Sequence, residues 1–203
     1  MGFSSLIDIL GSTLIGGILL ITLFRLNESG IENTYNNSGE LTSQQNITTI
    51  VQILENDFRK IGYCKNWTKI PKPNESIILA DSNKIKFLTD ILPDGNPDGN
   101  VDTLYYYMGS TNELLSTPNP RDRYLYRVIN GQTPIQVNLG VTQFSLMYLG
   151  ALGDTLTFPI TTPGAISSLQ IDVSVENISA YDNIYSTVFW RQIRLSAQNL
   201  RNR

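Results

Sequence analysis

The chain has no histidine. That removes the commonest general base, the commonest transition-metal ligand and every nucleophile arrangement that relies on an imidazole. It has one cysteine, Cys64, so no disulfide can form within the chain. The compartment stays open, because envelope proteins can do without disulfides. There is no basic cluster, and 15 Lys and Arg are outnumbered by 18 Asp and Glu, a net charge of -3. That balance argues against nucleic acid as a partner. A chain of 203 residues suffices for one core, or one core plus an extended helix.

The N-terminus is unlike the rest. An apolar run extends from Leu6 to Leu26, broken only by Asp8 near its start and Arg25 near its end. Everything after it reads as a polar, soluble domain. Three readings fit the run. A spanning helix needs about 20 apolar residues, and Ile9 to Phe24 offers 16 uncharged positions. A secretory signal calls for a positive start and a small-x-small cleavage site, and neither Met1-Gly2 nor Phe24-Arg25-Leu26 supplies them. The third reading is a helix that begins in the membrane and later packs against copies of itself. Gly11, Ser12, Gly16 and Gly17 permit close helix approach, with Ser12 and Gly16 spaced as small-xxx-small.

Leu6 to Arg25 is expected to be helical. Asn27 to Glu40, rich in Asn, Ser and Gly, is expected to be weak or melted. Helix resumes from Thr42 to Ile61. There Ile47, Ile50, Val51, Leu54, Phe58 and Ile61 are spaced 3, 1, 3, 4 and 3 apart, a single apolar stripe of 3.6-residue period. Gln52, Glu55, Asp57, Arg59 and Lys60 take the other faces, and Gly62 is the expected stop. The stripe is expected to lie on a sheet.

After Tyr63 the period falls to two. Ser76-Ala80 and Lys84-Thr89 read as strands joined by a turn at Asp81-Ser82-Asn83. Thr103-Met108 and Arg123-Ile129 form another pair, linked by the Pro-containing stretch from Gly109 to Asp122. Val141-Leu149, Ser168-Glu176 and Thr187-Ala197 are the longest candidates. From Leu169 to Val175 apolar and polar residues alternate strictly, so one face is buried and the other wet. One long helix followed only by strands points to α+β: a helix laid across an antiparallel sheet. The expected divisions are residues 1–26, residues 27–62 continuing the helix, and a β-rich globular domain over 63–203.

The stretch Asp90 to Asp102 concentrates oxygen ligands. Asp94, Asn96 and Asp98 are spaced as in the opening of a calcium loop and followed by Gly99, with Asp102 as a fourth candidate. The twelfth position of an EF-hand would be Tyr105 rather than Glu, which excludes that motif. The same residue types also build a hairpin connection, so no cofactor is required and calcium stays a candidate. Six Asn-x-Ser/Thr sequences begin at Asn27, Asn36, Asn46, Asn66, Asn74 and Asn177. They would be glycan acceptors in an extracytoplasmic chain of a glycosylating organism, although so much Asn and Ser produces several by chance. Tyr105-Tyr106-Tyr107 with Tyr124 and Tyr126 offers either core packing or an aromatic surface. Cys64 reads as a small buried residue, with no base near it in sequence.

The whole chain resembles a type IV pilin-like protein, and more narrowly a minor pseudopilin of the J type in type II secretion, or a PilW-like minor pilin. The resemblance begins with Gly2-Phe3 ahead of an apolar helix with an early acid. It continues through Leu54 to Tyr63, Ile85-Lys-Phe87, Asp102-Thr-Leu-Tyr-Tyr106, Leu125-Tyr-Arg127, Val141-Thr-Gln-Phe144 with Tyr148, and Arg194 with Asn199-Leu200, in the family's order. It implies cleavage after Gly2 by a prepilin peptidase and methylation of Phe3. Counted from Phe3, Asp8 is sixth, with Ile7 where the family carries its glutamate. The leader Met1-Gly2 also lacks the family's Lys or Arg.

The resemblance also implies a role. On that resemblance it would be a structural subunit, not an enzyme. Its helix waits in the inner membrane, with the globular domain in the periplasm or outside the cell. It then joins other pilin-like subunits in a filament, as a minor or tip subunit that starts assembly or contacts secreted cargo. Phe3, Asp8, Gly11 and Gly16 would carry assembly, with the Asp8 carboxylate meeting the free amine of Phe3 on its own or a neighbouring subunit. A compensated pair of that kind favours one register, since either charge alone in lipid is costly. The rival reading is a single-span anchor presenting a β-rich binding domain, through Tyr105 to Tyr107.

Overall fold

The computed structural model describes residues 2–91, 97–178 and 185–195, with side chains throughout except at 2–4, 138 and 193–195. One helix, α1 (Gly2–Phe58), is followed by seven strands: β1 (Ile77–Ala80), β2 (Lys84–Thr89), β3 (Asp102–Met108), β4 (Arg123–Ile129), β5 (Ile135–Leu149), β6 (Ser168–Glu176) and β7 (Thr187–Leu195). The strands form one antiparallel sheet in chain order, β1 to β7, each paired with the next. The expected α+β arrangement of a long N-terminal helix on an antiparallel sheet is what the chain adopts.

The helix does not melt between Asn27 and Glu40. It runs unbroken for 57 residues, about 85 Å at 1.5 Å per residue. Two glycines and several Asn disfavour helix locally by about 0.5–1 kcal/mol each. No proline occurs before Pro71, so nothing breaks the hydrogen-bond ladder outright. The stretch is also flanked by helix on both sides, so no new nucleus is needed. Gly39 has a specific reason to be there: a Cβ at this position would collide with the Asn177 side chain. The glycine lets the β6–β7 connection press onto the helix.

The C-terminal turns of α1 lie where their stripe predicts. Ile47, Ile50, Leu54, Phe58 and Ile61 are buried against the sheet, together with Ile85, Phe87, Leu104, Phe144, Ile171 and Val173. Phe58 meets the ring of Phe87 edge-on at 5.4 Å. The last turn tightens, with Lys60 N–H donating to Asp57 O and Ile61 N–H to Phe58 O. Gly62 then reverses the chain at φ +70, and its N–H donates to Leu88 O at 2.9 Å. Regular helix therefore ends at Phe58, three residues before the expected Ile61.

The strands match the period-two segments closely. The main difference is β5, which starts at Ile135 rather than Val141. Its pairing is irregular toward both neighbours, with the extra residues on β5 each time: between Val137 and Val141 opposite Leu125 and Arg123 of β4, and between Val141 and Gln143 opposite Val175 and Ser174 of β6. Ile135 to Leu139 alternates cleanly, but Gly140, at φ +71, reads as a break and hides the strand's continuity with Val141. β7 is described to Leu195; the expected continuation to Ala197 lies outside the described residues.

Candidate functional site

Three places in the molecule bear on function: the uncovered half of α1, the acidic loop before β3, and the seam where the end of α1 meets β3 and β4.

The uncovered half is apolar on every side. Leu, Ile and Phe side chains from Leu6 to Leu26 are each between 53% and 67% exposed. The helix is long and apolar enough to cross a membrane, and none of that stretch is buried by the rest of the chain. From Leu6 to Leu26 it rises about 30 Å, the thickness of a bilayer's hydrocarbon core. The hydroxyls within it are satisfied internally: Ser12 donates to Ile9 O at 2.9 Å, Thr13 to Ile9 O at 3.0 Å and Thr22 to Ile18 O at 2.8 Å. That is the condition for a polar side chain to sit in lipid.

Asp8 and Arg25 are the remaining charges, one near each end. Asp8 is exposed and shares a helix face with Gly11 and Ser12, three and four residues on. A Cβ placed on Gly11 or Gly16 would touch nothing. Both glycines are therefore open, shallow surface rather than packing positions within the chain. Gly2 and Phe3 lie in the first turn of the helix; the Phe3 side chain lies outside the described set.

The acidic loop is organised differently from its sequence pattern. Asp94 and Asn96 lie outside the described residues. Asp98 and Asp102 come together with Asp90, their carboxylate oxygens all within 4.8 Å of one another. Asp90 is fully buried. It accepts hydrogen bonds from the N–H groups of Lys65 (2.9 Å), Asp98 (2.8 Å) and Gly99 (2.9 Å). Asp102 accepts from Ile91 N–H at 2.9 Å and Asn130 Nδ2 at 2.6 Å. Asp98 accepts from the Asn100 side chain at 2.9 Å and from its backbone N–H at 2.7 Å, and these two bonds hold its carboxyl below the usual value.

Asp90, Asp98 and Asp102 are the carboxylates a cation would draw on. The N–H donors already in place account for the loop's shape. Asp90→Ala is expected to lower stability by at least about 2 kcal/mol, since charge-assisted bonds contribute about 1.5–3 kcal/mol each. Chelation of divalent ions is expected to leave the melting temperature of the parent chain unchanged. Thermal unfolding with and without EDTA measures both.

Cys64 sits beside this loop, its Sγ 3.6 Å from Asp90 Oδ2. Burial, with Asp90 beside it, pushes the thiol pKa up, the opposite of what a nucleophile needs.

At the seam the structure brings together residues that the sequence alone assigns to solvent or leaves unused. Asp57, placed among the polar faces of α1, is buried. It lies three residues after Leu54 and so borders the apolar stripe. Its Oδ2 accepts from the Tyr106 hydroxyl at 2.5 Å and from Arg127 Nε at 2.6 Å, and Arg127 Nε lies 3.1 Å from the Tyr106 oxygen. Burial and the Asp57 charge raise the Tyr106 pKa well above its ordinary value, so Tyr106 stays a neutral donor. These groups help line an apolar groove of about 540 Å³ between Ile50, Ile53 and Leu54 on the helix and Leu125, Ile135 and Val137 on the sheet.

The tyrosines divide by face. Tyr106 points into the core, while Tyr105, Tyr107, Tyr124 and Tyr126 stand half-buried on the opposite face. Tyr107 stacks on Tyr105 at 4.9 Å and on Tyr126 at 4.7 Å. The Tyr126 hydroxyl donates to Glu113 at 2.6 Å, which with burial pushes its pKa up to about 12. Of the Asn-x-Ser/Thr asparagines, Asn46 engages its amide nitrogen, donating to Leu139 O at 3.2 Å, whereas Asn66 engages its amide oxygen, accepting from Thr68 N–H at 3.3 Å.

No family model, curated protein or solved structure matches the chain.

Proposed function

We propose that this chain is a structural subunit of a pilin-like filament, held in a membrane by the first half of α1 until it assembles. The observation that carries this reading is the single 57-residue helix, apolar and uncovered in its first half and core-forming in its second. A plain anchor needs only a span and a linker. An unbroken rod fixed into the globular domain holds that domain at a set distance and angle from whatever the apolar half packs against. Stacking such rods head to tail generates a filament wherever the rotation does not close.

Asp8 supplies the register in this reading, through an ion pair with the amine of a processed Phe3. Gly11 and Gly16 supply close approach. A minor or tip position, with secreted cargo as contact, and assembly in the inner membrane after cleavage by a prepilin peptidase belong to the same proposal. The role is structural rather than enzymatic, in keeping with the absence of histidine and the raised thiol pKa of Cys64.

Two measurements test it. Mass spectrometry of the membrane-extracted protein is expected to find a chain beginning at N-methylated Phe3. Asp8→Ala is expected to reduce filament incorporation at least about tenfold, with Asp8→Glu retaining most of it, because an unpaired charge in lipid costs about 2.5–3.5 kcal/mol. An intact Met1 together with unaltered incorporation of Asp8→Ala would sink the proposal. It would favour a membrane-anchored binding domain, a second reading supported by the groove beside Asp57 and by the tyrosine stack.

A further inference from the structure

A second cleft, of about 350 Å³, opens across β4, β5, β6 and β7. Its lining is more polar than that of the groove beside Asp57. Its walls carry Arg121, Arg123, Thr142, Gln143, Ser174 and Glu176. Both irregularities of β5 border this cleft: Arg123 pairs with Val141 at the edge of the one facing β4, and Thr142 lies inside the one facing β6. Bulges re-aim side chains, and they gather beside sites.

The two arginines differ. Arg121 is fully engaged with Glu176, its Nε and its terminal nitrogen each 2.9 Å from Oε2. Glu176 also accepts from Asn119 through Oε2 at 3.0 Å and from Thr187 through Oε1 at 3.4 Å. The Arg123 side chain has no hydrogen bond or ion pair among the described residues, and its Nε is wholly shielded from solvent. The neighbouring carboxylate, Asp122, accepts from Thr117 through Oδ1 at 2.8 Å, and its buried Oδ2 makes no bond to Arg123. A half-buried guanidinium without an anion is an anomaly: buried charges are paired, because desolvation is otherwise uncompensated. A guanidinium fork has the shape to take a carboxylate or phosphate in two parallel bonds.

We infer that this cleft is a binding site for a small hydroxylated molecule bearing an oxyanion, an acidic monosaccharide or a sugar phosphate, with Arg123 holding the anionic group. The volume admits a ligand of that size. The same cleft is lined by the Ser174 hydroxyl, by Thr142, whose hydroxyl donates to Ser174 O at 3.5 Å and keeps its oxygen as an acceptor, and by Gln143, whose amide nitrogen donates to Ser145 at 3.0 Å and leaves its oxygen for a ligand hydroxyl. Arg121 and Glu176, already paired, form a neutral wall. The site is independent of the helix and of the filament reading, and its failure would leave that reading untouched.

Titration calorimetry on the full chain in detergent, at low salt, tests it with glucuronate, glucose 6-phosphate and glucose. Binding is expected for glucuronate if the ligand carries a carboxylate, and for glucose 6-phosphate if it carries a phosphate. Glucose is expected to bind at least about tenfold more weakly than either. Arg123→Met is expected to weaken the acidic ligand at least about tenfold, and Arg123→Lys, which keeps the charge and loses the fork, by less.

Thermal unfolding without ligand adds an independent readout. Removing an uncompensated charge is expected to leave the melting temperature unchanged or raise it, as is usual where function opposes stability. Equal binding of glucose, no binding of either acidic probe, unaltered binding by Arg123→Met, or a ligand-free melting temperature that falls in that variant would each overturn the proposal. If Arg123→Met does not fold, that too counts against it, because the arginine would then be structural.

Discussion

Asp57→Ala is expected to destabilise the folded domain by about 3–5 kcal/mol, a large part of the roughly 5–15 kcal/mol that holds a typical domain together. The loss has two parts. Two short hydrogen bonds disappear, from Tyr106 at 2.5 Å and Arg127 at 2.6 Å. More importantly, the Arg127 side chain, only 13% exposed, is left as an uncompensated charge beside an apolar groove. The three groups come from α1, β3 and β4, separated by 49 and 70 residues of chain from Asp57, so the cluster ties the end of the helix to the first half of the sheet.

The companion experiment separates a buried charge from a buried cluster. Replacing all three at once, Asp57→Leu with Tyr106→Phe and Arg127→Met, removes every unsatisfied group together. Apolar replacement of a complete buried network is often neutral or stabilising, so the triple variant is expected to regain most of what Asp57→Ala loses. Urea unfolding of both variants gives the comparison. If Asp57→Ala costs under 1 kcal/mol, or if the triple variant is no better, the cluster is not the tie described.

What is legible in the sequence follows the range over which each interaction acts. The stripe from Ile47 to Ile61 and the alternation from Leu169 to Val175 are local periods, and both elements lie where the periods put them. Between Asn27 and Glu40 the weak local propensity misleads, because continuity with strong helix on both sides decides the outcome. The start of β5, from Ile135 to Gly140, alternates cleanly, but Gly140, at φ +71, reads as a break ahead of Val141 and hides the strand's continuity.

The site residues illustrate the same limit. Asp90 stands in the acidic stretch, but its partners are backbone N–H groups: Asp98 and Gly99 further along its own loop, and Lys65 on the connection that follows α1. Asp57 reads as solvent-facing because a helix projection shows which residues border the stripe and cannot show an arginine arriving from β4. Of the expected loop ligands, only Asp98 and Asp102 lie among the described residues, and both contribute to the cluster. Asp8, Gly11 and Gly16 lie on the open helix as expected.

Deleting residues 1–26 is expected to move the protein from the membrane to the soluble fraction while leaving its sheet domain intact. The 13 Leu, Ile and Phe residues from Leu6 to Leu26 favour the bilayer by about 0.3–0.6 kcal/mol each, roughly 4–8 kcal/mol together. Asp8 and Arg25 lie near the ends of the run, where charged groups reach the interface at lower cost. Among the described residues none before Gly39 is buried, and the helix side of the core begins at Ile47. The truncated chain therefore keeps every core contact, and its melting temperature is expected to stay within about 2 °C of the parent in detergent, equivalent to under about 1 kcal/mol for a domain of this size. Fractionation of cells expressing both forms, followed by thermal circular dichroism, measures the two effects separately. A truncated chain that still sediments with membranes would place the anchor elsewhere. One that is soluble but unfolded would show that the uncovered half of α1 stabilises the domain it carries.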